Sequence, residues 1–284
     1  MKAPYLLGAT LLGIMLAASP REAAAQTEIG AQLDLFSSYV WRGLTLTNKP
    51  VAQPDVWVSF PAGNASITAG SWANIEIGKY DDPENDISES GGVSAFNISE
   101  YNPYLEVGFT AGKAALTGGV VGYFYTNNLD DAPNGGLDSE SNTWEVYGTV
   151  GFDVPLAPEF SLYYDFDKIK GAYVEGGVSH SVPLGESHTL DLGGLVGFSL
   201  GQDESDDPSF NFADDGFTHA AFSAGVPLTA GAFSITPVLH LQISGDEATK
   251  FHSPGDESDV KLWGGVSIGW SNAVEEEEAE AAEE

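Results

Sequence analysis

Hydrophobic and polar residues alternate along most of this chain with a period of two. In the segment 29–42, Ile29, Leu33 and Tyr39 share one side, while Asp34 and Arg42 share the other. Because successive side chains of a strand point to opposite faces, this alternation predicts a long strand with one apolar and one polar face. Similar segments recur down the chain and predict about twelve strands, at 29–42, 51–60, 65–75, 101–111, 114–126, 143–153, 160–167, 172–182, 188–200, 217–226, 233–244 and 260–270.

The connections between these segments alternate in length. Tight turns such as 61–64 and 111–113 alternate with long polar loops, and only the connection 168–171 is short where the alternation calls for a long one. Strands of a soluble sandwich are usually about 5–6 residues long, and its loops are not sorted in this way. The pattern therefore predicts an all-β fold, a transmembrane antiparallel up-and-down β-barrel of about twelve strands, with both termini on the periplasmic, short-turn side.

The N-terminus has the layout of a secretory signal peptide. Lys2 precedes an uncharged stretch that ends at Pro20, and three alanines lie just before Gln26. The apolar core is shorter than the roughly 20 residues that a membrane-spanning helix needs. We expect a signal peptide over 1–25 that is cleaved on export, an outer-membrane barrel over 26–272, and a disordered acidic periplasmic tail over 273–284.

Composition narrows the class of protein further. The chain has 284 residues and no cysteine, so disulfides cannot hold it together outside the cytoplasm. A formal net charge of −32 makes nucleic acid an implausible partner, because phosphate binding requires lysines and arginines. A halophile-like or acid-adapted surface would also carry such a net charge, and composition alone does not exclude it.

Two short stretches resemble known outer-membrane proteins. The run Ser37-Ser38-Tyr39-Val40-Trp41-Arg42-Gly43, followed by Pro50 to Pro54, resembles the start of the TorF-type porin family, which implies an outer-membrane barrel without an assigned substrate. The final segment, with Gly265, Ile268 and Trp270, resembles the terminal strand that the barrel-assembly machinery recognises. Barrels generally end at that aromatic residue, whereas this chain continues beyond it.

The predicted inner face is acidic, and this suggests a function. Twelve strands lie between the eight that side chains fill and the sixteen or more that enclose an open channel. Inward aromatic residues narrow the bore further, and the mature chain's basic residues all lie in loops, turns or strand ends. We expect a narrow, cation-preferring diffusion channel for ions or small hydrophilic solutes. The carboxylates predicted to line it are Asp34, Asp55, Glu106, Glu145, Asp165, Glu175 and Asp191.

Two other classes of protein remain open. The first is a non-conducting structural barrel, or one that binds a ligand or partner through its acidic loops. The second is a soluble, carbohydrate-binding β-sandwich, which would be extracted without detergent. Conductance in a planar bilayer separates the first class from a channel.

The remaining polar motifs are weaker signals. Arg42 is predicted at the extracellular mouth, where it would bind lipopolysaccharide phosphate or a lumen carboxylate, or simply hold the first loop by hydrogen bonds. The acidic loops, at 81–86, 130–131, 203–207 and 256–259, suit Ca²⁺ or Mg²⁺ but lack EF-hand spacing. Outer-membrane lipid and lipopolysaccharide are the other expected partners.

We expect no metal site, no cofactor and no enzymatic activity. The five histidines lack metal-ligand spacing. His180 and Ser181 are adjacent, but neighbours on a strand point to opposite faces and cannot form a nucleophile–base pair. The signature of the twelve-stranded outer-membrane phospholipases is missing from the sequence.

Overall fold

The computed structural model describes residues 27–126, 137, 139–185, 187–202 and 212–273. Within these residues, twelve antiparallel strands form one closed barrel, in which each strand pairs with its neighbours in sequence and the last pairs with the first. The predicted signal peptide over 1–25 and residues 274–284 of the predicted tail lie outside the described residues. No helix within the described part is long and apolar enough to cross a membrane.

The barrel strands are numbered β1 to β12 in chain order. They are β1 (Glu28–Phe36), β2 (Val51–Ala62), β3 (Ala65–Glu76), β4 (Asn97–Ala111), β5 (Ala114–Tyr125), β6 (Thr143–Phe152), β7 (Glu159–Asp165), β8 (Ala172–Leu184), β9 (His188–Leu200), β10 (Gly216–Gly225), β11 (Phe233–Ser244) and β12 (Val260–Ser271). Shorter strands lie in the connections, at Tyr39–Trp41, Leu44–Thr47, Leu228–Ala230, Phe251–Ser253 and Asp256–Glu257. A helical turn spans Glu247–Lys250, and a 3₁₀ turn spans Ser139–Ser141.

The period of two sorts the side chains between the two faces of the barrel wall. Val56 on β2, Leu105 on β4 and Leu239 on β11 lie on the outer face and are about half exposed. The polar residues that alternate with such side chains point into the barrel. This arrangement suits a wall with lipid on one side and a polar interior on the other, and it confirms the predicted all-β barrel of twelve strands.

Tight turns that contain glycine connect adjacent strands at one end of the barrel. Ala62 and Ala65 pair directly across the two-residue turn Gly63-Asn64, and Gly63 has φ of 69°. A positive φ gives such a turn the twist that adjacent strands need, and glycine adopts it without strain. The long loops lie at the opposite end.

The first strand departs from the prediction. It ends at Phe36 rather than continuing to residue 42, and Tyr39 and Trp41 do not share a lipid-facing side with Ile29. Instead, the chain bends at residues 37–38 and enters the barrel. A period of two indicates which side chains are buried together, but it does not distinguish the barrel wall from a hairpin packed inside it.

Candidate functional site

The segment 37–47, called here the inward segment, fills the bore toward the long loops. Its strands Tyr39–Trp41 and Leu44–Thr47 pair as a small hairpin. Arg42 and Gly43 form the tip and both have positive φ, at 48° and 87°. The side chain of Tyr39 is 1% exposed, and Thr47 is fully buried. Such burial requires contacts with the barrel wall on several sides.

Those contacts reach opposite walls of the barrel. The Tyr39 ring lies 5.6 Å from the Trp72 ring on β3, and its hydroxyl donates a hydrogen bond of 2.8 Å to Glu100 on β4. On the other side, the Nε2 of Gln242 on β11 donates to the carbonyl oxygen of Gly43 at 2.9 Å. The inward segment therefore crosses the bore rather than lining one wall.

Arg42 occupies an aromatic and acidic cage inside the barrel. Its two terminal nitrogens donate to both oxygens of Glu145 on β6, at 2.8 and 2.7 Å. The guanidinium carbon lies 4.5 Å from the ring centre of Trp41, 4.3 Å from Tyr163 and 4.7 Å from Tyr173. A planar guanidinium suits both contacts, because it forms bidentate hydrogen bonds in its plane and stacks on aromatic faces.

A second buried cluster connects the loop before β4 to the wall. Ser99 and Asn74 both donate hydrogen bonds to the Oε2 of Glu89, and the Glu89 and Glu100 carboxyls are in hydrogen-bond contact. Burial, reinforced by the negative charge of Glu100, raises the pKa of Glu89 well above its usual range. A hydrogen bond between two carboxyls requires a proton, so Glu89 and Glu100 share one in this arrangement.

Little space remains in this part of the barrel. A cavity of about 10 Å³ lies beside Trp41 and Glu145, which is room for about one water molecule. Buried polar side chains, including Gln53 and Asn102, fill the wall around the inward segment. We call this the filled part of the lumen.

Toward the short turns, the inward side chains are partly exposed. On β4, Glu106 is partly exposed whereas Glu100 is buried, and on β8 Glu175 is partly exposed whereas Tyr173 is buried. Asp34 on β1 is also partly exposed. In each strand the exposed residue lies nearer the short turns. We call this region the accessible part of the lumen.

Aromatic rings in the accessible part lean against the wall. The tip of Tyr147 lies over Gly119, where a Cβ would meet the ring at 2.5 Å, and Trp57 lies over Gly30 in the same way. Glycine is required at these two positions because any side chain would collide with the ring. Rings held against the wall narrow the bore less than rings that project across it.

Three tyrosines stand side by side at the boundary between the two parts. Tyr147, Tyr163 and Tyr173 are directly opposite one another on β6, β7 and β8. Neighbouring ring centres are 5.7 and 6.2 Å apart. We call these three residues the tyrosine belt. Tyr163 and Tyr173 face Arg42 and are buried, whereas Tyr147 is partly exposed to the accessible lumen.

The predicted lumen carboxylates have different surroundings. Asp34, Glu106 and Glu175 line the accessible part, and Asp55 accepts a hydrogen bond from Tyr104 at 3.3 Å. Glu145 is engaged by Arg42 in the filled part. These five residues point into the barrel, as the alternation predicts.

Asp165 and Asp191 are poor candidates for lining a path. The Oδ1 of Asp165 accepts hydrogen bonds from the backbone nitrogens of Asp167 and Ile169, both at 3.0 Å, so it shapes the short connection to β8. Asp191 is 3% exposed, and neither carboxylate oxygen has a hydrogen-bond partner among the described residues. Asp165 thus has a structural role, and a part for it in selectivity stays a prediction.

The structure places Arg42 in the filled part of the lumen, not at an exposed mouth. Lipopolysaccharide phosphate and a lumen carboxylate were the acceptors expected for Arg42, and its guanidinium contacts a lumen carboxylate, that of Glu145.

In the last strand, Gly265 faces inward and approaches the backbone of Leu35 on β1, while Ile268 and Trp270 lie on the other face. Recognition by the assembly machinery stays a prediction.

The acidic loop 81–86 uses its carboxylates internally. Asp86 accepts from the Nζ of Lys49 at 2.7 Å, and Asp82 accepts from the backbone of Glu84 and the side chain of Asn85. No group of three or more His, Cys, Asp or Glu side chains among the described residues has a metal-binding arrangement. The clusters 130–131 and 203–207 lie outside the described residues.

Several functional candidates escaped the sequence analysis. Glu159 is inward-facing and partly exposed on β7, although the pattern starts that strand at residue 160. Glu159 lies two residues before the inward-facing Ser161, so the period of two in the sequence already places it on the inner face. Glu89 and the cage around Arg42 depend on contacts between distant segments, and no local pattern reveals them.

Comparisons with solved structures support the fold. The COG4313 outer membrane channel from Pseudomonas putida F1 has a TM-score of 0.54 at 8% identity, over 89% of this chain and 98% of that one. The translocator domain of the autotransporter NalP from Neisseria meningitidis gives 0.46 at 11%, over 87% and 88%. The KdgM porin, solved with disordered oligogalacturonate, gives 0.41 at 8%, over 86% and 98%. At such identities the first likeness establishes the outer-membrane barrel fold alone.

No curated protein matches the sequence. A family model described as a bacterial protein of unknown function, Gcw_chp, matches residues 20–236. The match begins before β1 and ends within β11, so it covers more than half of the chain and most of the barrel wall. The chain therefore belongs to the Gcw_chp family.

Proposed function

We propose that the protein is a cation-preferring channel of the outer membrane, through which ions or small hydrophilic solutes diffuse. The observation that carries this proposal is the distribution of charge on the inner wall. Asp34, Glu106 and Glu175 are partly exposed there, and none of them forms an ion pair with Lys or Arg within the described part of the chain. Carboxylates in a narrow bore attract cations and repel anions.

The filled part of the lumen limits this channel. Because the inward segment crosses the bore and most of its residues are buried, solutes pass only when that segment moves. We infer that conduction is low at rest and that the Arg42–Glu145 pair holds the segment in place. The resemblance of residues 37–43 and 50–54 to TorF-type porins supports a porin-like barrel and assigns no solute.

A second function, a non-conducting structural or partner-binding barrel, is favoured by the dense packing around the inward segment. It does not explain the unpaired carboxylates that face the accessible lumen. A partly desolvated carboxylate without a cationic partner carries a free-energy cost that a purely structural barrel has no need of. We therefore place the channel first.

The proposal includes no chemical step. His180 is exposed on the outer face opposite Leu192, whereas Ser181 faces inward opposite Asp191. A hydrolytic nucleophile and its base must be within hydrogen-bond distance, and these two side chains lie on opposite sides of the wall. We also propose that the protein contacts lipopolysaccharide in the outer membrane, and that its acidic loops contact Ca²⁺ or Mg²⁺.

The test is the reversal potential of single channels in a KCl gradient across a planar bilayer. The wild type should prefer K⁺ over Cl⁻. The triple variant Asp34→Asn, Glu106→Gln, Glu175→Gln should lose most of that preference, because it removes three charges from the accessible lumen.

A matched control removes three carboxylates from exposed connections, in the variant Asp153→Asn, Asp214→Asn, Glu257→Gln. It should keep the wild-type reversal potential. Anion preference in the wild type, or equal effects of the two triple variants, would contradict the proposal.

A further inference from the structure

The tyrosine belt suggests which cations the lumen accepts. On the side toward the long loops, the rings of Tyr163 and Tyr173 already bind a guanidinium, that of Arg42, together with the carboxylate of Glu145. The protein's own side chain thus shows that this combination of aromatic faces and a carboxylate holds a planar organic cation.

The same combination recurs on the other side of the belt. The hydroxyl of Tyr147 donates to Glu106, and that of Tyr173 lies 3.4 Å from Glu175. Glu106, Gly119, Tyr147 and Tyr163 are directly opposite one another on adjacent strands. Because Gly119 has no side chain, Tyr147 leans across it to reach Glu106, so the ring lies along the wall.

No lysine or arginine in the described part of the chain fills this second position. Among the described residues, neither Glu106 nor Glu175 forms an ion pair, while Arg42 is engaged by Glu145. Glu106, Tyr147 and Glu175 are each partly exposed. Tyr163 and Tyr173 are buried, so a solute entering from the short-turn end meets the ring of Tyr147, with a carboxylate on either side.

We propose that the partly exposed ring of Tyr147, with Glu106 and Glu175 on either side of it, binds small organic cations of the guanidinium or alkylammonium class. This inference rests on the proposed function, because it names the solutes that a cation-preferring channel would favour. Aromatic faces attract such cations through the ring quadrupole, and they also bury the apolar surface that a hydrated K⁺ ion lacks. The carboxylates of Glu106 and Glu175 supply the hydrogen-bond acceptors.

The experiment compares methylguanidinium with methylurea, which has a similar planar shape and no charge. Binding to the full-length mature protein in detergent micelles is followed by saturation-transfer NMR, so it does not depend on conduction. Methylguanidinium should bind, and methylurea should not. An equal concentration of KCl should displace methylguanidinium only weakly.

Two variants of one residue separate the ring from its hydroxyl. Tyr147→Leu removes the aromatic face and should weaken methylguanidinium binding by about three- to tenfold. Tyr147→Phe keeps the face and should bind within about twofold of the wild type. Glu175→Gln, which leaves all three rings in place, should also weaken binding. Each variant must show the heat-dependent gel migration of the folded wild-type barrel.

The outcomes distinguish this inference from the channel itself. Equal binding of methylurea, complete displacement by KCl, or wild-type affinity in Tyr147→Leu would overturn the organic-cation site. If those results accompanied cation-selective conduction, the channel would stand without this site. Methylguanidinium binding without any conductance would contradict the channel and support the site.

Discussion

The two parts of the lumen have the same wall and opposite interiors. Toward the long loops, Arg42 and the rest of the inward segment satisfy the wall's carboxylates and aromatic rings. Toward the short turns, similar side chains, such as Glu106 and Tyr147, are left partly exposed. The difference teaches that a strand pattern determines which residues face inward, whereas an inserted segment determines which of them solutes can reach.

The largest effect is expected from removing the buried cation. Arg42→Ala leaves Glu145 buried without its partner, which typically costs about 3–5 kcal/mol. Because the pair joins the inward segment to β6, the cost falls on the closed arrangement, and single-channel recordings should show far more frequent opening. The double variant Arg42→Gln, Glu145→Gln removes both charges and should open less often than Arg42→Ala. Equal opening in these two variants would exclude the pair as the restraint.

A smaller effect is expected at the other wall. Tyr39→Phe removes the hydroxyl that donates to Glu100 and keeps the ring beside Trp72. Loss of a buried hydrogen bond to a carboxylate costs about 1.5–3 kcal/mol. The ratio of open to closed times should rise by roughly tenfold or more. An unchanged ratio would show that Tyr39 does not restrain the segment.

The wall on its own was largely predictable from the sequence. The alternation found the twelve strands to within a few residues, because one face of each strand contacts lipid and the other does not. It also placed Glu106 and Glu175 on the inner face. The predicted end of β1, at residue 42, was wrong, because Tyr39 and Trp41 continue the apolar alternation after the chain has left the wall.

The interior was much less predictable. The cage around Arg42 joins residues about a hundred or more positions apart, with Glu145 on β6 and Tyr173 on β8. Such a cage depends on how far a loop folds into the bore, and neither periodicity nor composition carries that information. The proton shared between Glu89 and Glu100 was hidden for the same reason, because both carboxylates read as ordinary loop or strand residues.

A pH dependence of opening should come from Glu89. Burial raises the pKa of Glu89 above its ordinary value of 4.5, so the closed arrangement binds a proton that the open one releases. Closure is therefore strongest at low pH and weakens as the pH rises through the raised pKa of Glu89. Opening should therefore become more frequent as the pH is raised.

Glu89→Gln places an amide donor beside Glu100 and imitates the protonated carboxyl. This variant should stay closed and lose most of the pH dependence of opening, as single-channel recordings would show. A wild-type pH profile in Glu89→Gln would assign the titration to another group.

The smallest effect is expected on the exposed rim. Lys79 forms an ion pair with Asp81, and both side chains are more than half exposed. Exposed pairs contribute little because water and salt screen them. Lys79→Ala should leave both conductance and opening frequency unchanged, and a clear change would show that loop charge, rather than the interior, controls the channel.

The central claim is that the inward segment closes a cation-preferring lumen. The most direct test replaces residues 39–46 with a flexible Gly-Ser linker, which leaves β1 and β2 intact, and records single channels in a KCl gradient after gel migration has verified folding. The account predicts much larger conductance steps than in the wild type, with K⁺ preference retained because Asp34, Glu106 and Glu175 remain. Unchanged conductance, or a preference for Cl⁻, would contradict it.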